Sequence, residues 1–149
     1  MRKIFTHFTF LMLIFNFYPV AAQIQEDQLL GNWELNYKVT SEQMAADAKK
    51  VFNSLPESSH SSIEKAYKGR QIAFMNNHLF ELKLSDGRSS VGKWQLNLFE
   101  KVLKIKNDRN NKEYLYKIIE LDDKILFIEE LDVKGTVYFK KLHYIKSKS

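Results

Sequence analysis

Three histidines, His60, His78 and His143, are the side chains beyond the N-terminal stretch best suited to bind a metal or carry a proton. They stand far apart, with neither His-x-His nor His-x-x-x-His spacing, and the chain has no cysteine to complete a zinc set. Serines are frequent, but none sits in the Gly-x-Ser-x-Gly elbow that exposes a nucleophile. Asp86 and Asp122-Asp123 fall in turn-like stretches, where Asp is favoured for local hydrogen bonding. Glu129 and Glu130 are adjacent in a strand-like run. They therefore point to opposite faces and make a poor acid–base pair. Only five glycines occur, and none forms a phosphate-cradling loop. These patterns predict no enzyme, no metal site and no cofactor.

The richer signal is aromatic. In GNWELNYKV the apolar residues Trp33, Leu35, Tyr37 and Val39 alternate with Asn32, Glu34, Asn36 and Lys38. A period of two marks a strand with one dry and one wet face, here predicted over Leu30–Val39. A helix is expected next, with Thr40 as N-cap, Gln43 completing a capping box, and a Val39–Met44 staple. Met44, Ala48, Val51, Phe52 and Leu55 then recur at helical spacing until Pro56 ends the run. The Ser-rich segment after it reads either as a loop or as the start of a second helix through Ile63, Ala66 and Tyr67, stopped at Gly69.

From Arg70 onward the period returns to two. QIAFM, HLFELKL, SVGKWQL, KVLKIK, EYLYKIIEL, KILFIEEL and TVYFKKLHY read as strands, separated by short polar turns that include Asp86-Gly87 and Lys134-Gly135. Eight strands, seven of them in consecutive hairpin order, must fold over or close, because open edges are a liability. The expected fold is all-β: an antiparallel up-and-down barrel with a helical insertion between strands one and two.

The start of the chain reads differently. MRKIFTHFTFLMLIFNFYPVAAQ has a basic beginning, an apolar run and a small-residue end, the order of a secretory signal peptide cleaved after Ala22. The apolar run is shorter than the roughly 20 residues of a membrane span. The division expected is therefore 1–22 as signal peptide and 23–149 as one barrel domain, exported to the periplasm or beyond. The absence of cysteine and of Asn-x-Ser/Thr sites favours a bacterial envelope or secreted protein over an exported eukaryotic one. Two of the 23 basic residues, Arg2 and Lys3, belong to that leader; the others exceed the 18 acidic residues by three. The lysines are scattered along the strands as a solvated face, so no nucleic-acid partner is expected.

Gly31-Asn32-Trp33 resembles the Gly-x-Trp signature of lipocalins and the wider calycin group, and Gly92-Lys93-Trp94 is a second such tripeptide, as in many small bacterial lipocalin-like envelope proteins. The resemblance covers about Leu30 to Tyr144 and implies a calycin barrel that binds a small ligand. It also implies a basic residue of the last strand lying across Trp33, for which Lys140 and Lys141 are the candidates. The helical insertion is similar to that of intracellular fatty-acid-binding proteins, which cap the barrel mouth with two helices and hold a carboxylate by an Arg-x-Tyr pair. Here the nearest stretch is Tyr138-Phe139-Lys140, without Arg.

The lining implied for a pocket is Trp33, Tyr37, Phe52, Phe74, Phe80, Trp94 and Tyr138, with Lys140 as polar anchor. Two readings stay open. In one, the barrel holds a small apolar or amphipathic ligand. In the other, aromatics fill it, and the chain is an envelope protein-interaction module, inhibitor or assembly accessory. The second would show an apolar patch outside the barrel, from Leu115, Ile119, Ile125 and Phe127.

Overall fold

A computed structural model of the chain describes residues 24–132 and 137–147. Eight antiparallel strands close into a barrel in sequence order, with β1 returning to pair β8. They are β1 Gly31–Leu35, β2 Gln71–Phe74, β3 Leu79–Lys83, β4 Ser89–Asn97, β5 Val102–Asn107, β6 Glu113–Leu121, β7 Ile125–Glu130 and β8 Lys141–Lys146. A short helix α1, Glu26–Leu29, precedes β1, and three more lie between β1 and β2: α2 Tyr37–Glu42, α3 Ala46–Asn53 and α4 Glu57–Tyr67. The expected architecture, a meander barrel with its helices between the first two strands, is the one present. The 1–22 leader and the Lys134-Gly135 turn lie outside the described residues. No helix among the described residues is long and apolar enough to cross a membrane.

Several boundaries differ from the sequence expectation. The first strand stops at Leu35 rather than Val39, because Asn36 diverts the chain. Its Oδ1 accepts the Val39 N–H at 3.2 Å, and its carbonyl accepts the Thr40 N–H at 2.9 Å, starting a helix at Tyr37. Thr40 is thus not a cap. It is buried inside α2, where its hydroxyl accepts the His143 N–H of β8 at 3.1 Å. The single helix expected after Thr40 is two, broken around Met44, which packs against the core. The Ser-rich stretch is helical, within α4, and Gly69 follows it at φ +73°. The last strand occupies Lys141–Lys146, so Tyr138 and Lys140 precede it. Replacing Asn36 by Ala should lower stability by ~1 kcal/mol, measured as a fall in thermal midpoint with the barrel's β spectrum retained.

The core is one cluster that runs the length of the barrel. At the end holding the start of β1 and the end of β8, α1 closes the floor with Leu29, which is fully buried. Beside it Trp33 is buried, its indole Nε1–H donating to the Leu29 carbonyl at 2.8 Å. Trp94 is buried at the same end, and its Nε1–H reaches the carbonyls of Leu79 at 3.0 Å and Met75 at 3.2 Å. Each Gly-x-Trp glycine has its own reason. Gly31 holds φ +117°, where a side chain is strained. Gly92 sits so close to β5 that a β-carbon would overlap the Lys106 carbonyl.

Candidate functional site

The helical insertion leaves β1 at Leu35 and returns at Gln71, so it covers the end opposite the tryptophan floor. Its apolar faces converge on Phe139, which is buried between the insertion and the barrel. The rings of Tyr67, Tyr37 and Phe52 meet Phe139 at 4.6, 5.7 and 5.8 Å between centroids. Phe52 also contacts Tyr138 at 5.5 Å and His60 at 4.2 Å. These edge and tilted contacts suit ring quadrupoles. They explain why Met44, Phe52 and Leu55 form an apolar face: it is spent on fastening the cap.

Beneath this cluster lies a largely enclosed cavity of about 220 Å³. Its lower wall is apolar: Ile72 and Phe74 of β2, Phe80 and Leu82 of β3, Ile105 of β5, and Leu126 and Ile128 of β7. Its upper part, under the helices, is polar and aromatic, with Arg70, Tyr67, Tyr114, Tyr116, Asn107 and Glu130, and β8 adds Leu142 nearer the cap and Tyr144 one step further down.

Arg70 is the centre of that upper part. It directly precedes β2, and its carbonyl accepts the Leu35 N–H at 2.9 Å, which extends the β1–β2 pairing. Arg70, Ile72 and Phe74 follow one another at every second position and all face inward. The guanidinium stacks on Tyr67 at 4.0 Å, and its Nε–H donates to the Ala66 carbonyl at 3.1 Å. Burial works against its charge, and Tyr144 and Tyr67 beside it more than offset that, so its pKa lies above the ordinary value. Burial also raises the phenols of Tyr116 and Tyr144, which keeps both as neutral hydrogen-bond donors. Glu130 is likewise raised, first by burial, with Lys112 and Arg70 pulling the other way. In the cap, Tyr37 is pushed up to about 12 by burial and by Glu64, whose carboxylate accepts its hydroxyl at 3.3 Å.

Of the residues expected to line a pocket, Phe74 and Phe80 border this cavity. Trp33 and Trp94 lie below it in the floor. Tyr37, Phe52 and Tyr138 are above it in the cap. Lys140 points away, exposed and paired with Glu129 at 2.9 Å. The basic residue across Trp33 is Lys146, 4.8 Å from the ring, because the β1–β8 register sets Trp33 opposite Lys146. Lys140 and Lys141 lie too far toward the other end. Arg70, Glu130 and the inward tyrosines were missed as a group, although strand parity from Phe74 back to Arg70 carries the signal.

The histidines are dispersed as their spacing suggested. His60 is in the cap, His78 packs on Trp94 at 4.7 Å, and His143 lies beside Phe127 at 5.9 Å. Among the described residues, no three His, Cys, Asp or Glu side chains are grouped to hold a metal ion. Leu115, Ile125 and Phe127 alternate with cavity-lining residues, so they face outward.

No protein-family model and no curated protein matches the chain. A solved structure that is similar to it is a DUF4847 family protein from Bacteroides vulgatus, at 12% identity and a TM-score of 0.44, over 79% of this chain and 92% of that chain.

Proposed function

We propose that the chain is an exported, non-enzymatic, lipocalin-like protein that holds a small apolar or amphipathic ligand inside the barrel. The observation that supports this reading is the cavity of about 220 Å³, apolar below and polar at its upper end, beneath a helical cap. Most ligand pockets begin near 300 Å³. The occupant is therefore small, comparable in volume to roughly seven water molecules.

A second reading, a protein-interaction module, draws on the outer sheet. Ile119 and Ile145 are 45% and 44% exposed. Ile125 pairs across from Ile145, which makes the apolar area continuous over β7 and β8.

The test is native mass spectrometry of the protein recovered from the envelope fraction of its own host. The expected result is a chain lacking residues 1–22, with an adduct that disappears on organic extraction. A bare, folded chain that also takes up no small ligand would reject the binding reading and favour the interaction module. Retention of residues 1–22 would reject cleavage after Ala22.

A further inference from the structure

We propose that Arg70 makes the upper cavity a receptor for the carboxylate of a small monoanion whose apolar body points to the barrel floor. This inference rests on the ligand-binding reading above and narrows it to a chemical class.

The guanidinium is largely, though not fully, out of water. Among the described residues, no carboxylate lies within salt-bridge distance of it. A charge withdrawn from water is costly unless paired and hydrogen-bonded. Arg70 offers five N–H donors in a rigid fork. One is taken by the Ala66 carbonyl, and Tyr144 lines the same cavity. The stacking on Tyr67 occupies a face of the guanidinium plane, not its edge. The donors left over match the two oxygens of a carboxylate.

The surroundings narrow the anion further. Tyr116 and Tyr144 line the same space and remain protonated, so each can add a hydroxyl donor. Glu130 borders the cavity as well. Its negative charge disfavours a dianion such as phosphate and competes weakly for Arg70. Below the guanidinium the wall is hydrocarbon and aromatic, from Ile72, Phe74 and Phe80 to Leu126. A ligand that satisfied both parts would have one carboxylate and a short apolar body. The Arg-x-Tyr stretch sought near the C-terminus plays no part in this: Arg70 comes from the other side of the barrel seam, at the head of β2.

The experiment compares hexanoate with 1-hexanol, which have nearly equal volume and the same tail. Both are titrated into the folded protein and followed by shifts of its amide resonances. Hexanoate should bind at least tenfold more tightly than hexanol. Arg70→Leu should erase that difference, and Glu130→Gln should tighten hexanoate a few-fold. Arg70→Leu could fail to fold, so a second readout uses the unaltered protein. The carboxyl carbon of ¹³C-labelled hexanoate, when bound, should titrate well below its free value, because Arg70 favours the charged form. Equal binding of acid and alcohol, with an unshifted titration, would overturn the carboxylate proposal and leave the ligand reading intact. Binding of neither would overturn both. Loss of hexanoate binding in Glu130→Gln but not in Arg70→Leu would assign recognition to the wrong residue and also sink the proposal.

Discussion

Replacing Trp33 by alanine should lower stability by ~4 kcal/mol, the upper range for removing a fully buried aromatic. For a domain of this size that is a fall of about 15 °C in the thermal midpoint. The reasons are separable. The ring is wholly buried between α1 and the barrel floor. Its Nε1–H satisfies the Leu29 carbonyl at the end of α1, at 2.8 Å. Its face receives the Lys146 ammonium, 4.8 Å from the centroid, and that ammonium also donates to the Gln28 carbonyl at 3.0 Å. Trp33 therefore joins α1, β1 and β8 at one point. Trp33→Phe keeps most of the burial but leaves the Leu29 carbonyl without its donor, and should cost only ~1–2 kcal/mol. Urea unfolding of the two variants gives the test. If alanine costs no more than phenylalanine, the floor is not anchored by the ring.

Gly92→Ala should lower stability by ~3 kcal/mol although it adds a single carbon. Its backbone is ordinary strand, so the demand is for space and not for an unusual φ. A β-carbon there would overlap the Lys106 carbonyl of β5 and press on the Phe80 ring, 2.8 Å away. Backbone cannot move aside without breaking the β4–β5 ladder, in which Gly92 opposes Asn107. Gly87→Ala is the matched control. That glycine has φ +85° but nothing within 4 Å, so the change costs only the left-handed backbone penalty, ~1–2 kcal/mol. Equal midpoints for the two variants would refute the steric account.

These glycines show which parts of the molecule the residue order reveals. Period-two alternation marks the strands because one face of each is dry, and a meander with short turns leaves few ways to satisfy its edges. Gly31 and Gly92 stand out through their tryptophans. Ends of elements are harder to read. Asn36 could continue a strand or cap a helix, and the outcome depends on the His143 carbonyl, 107 residues later in the chain, accepting its N–H at 2.8 Å. The partner of Trp33 was legible as a basic residue near the C-terminus. Its identity as Lys146 required the register across the seam. Cavity volume is less legible still, because it depends on how far the strands stagger and on where Phe139 sits. Arg70 was within reach: inward Phe74 and Ile72 place it on the inner face by parity alone.

The seam between β1 and β8 has a kinetic consequence. Its contacts join residues at opposite ends of the sequence, with Trp33 opposite Lys146 and Leu35 opposite Tyr144. Contacts of such long separation form late and slow folding. Until Lys141–Lys146 are available, β1 has one free edge and α2 lacks the backbone amide that Thr40 accepts. A chain cut short before β8 cannot close the barrel at all, and exposes an edge that invites association. The final strand thus acts as a latch, allowing the enclosed fold only once Lys141–Lys146 have paired with β1.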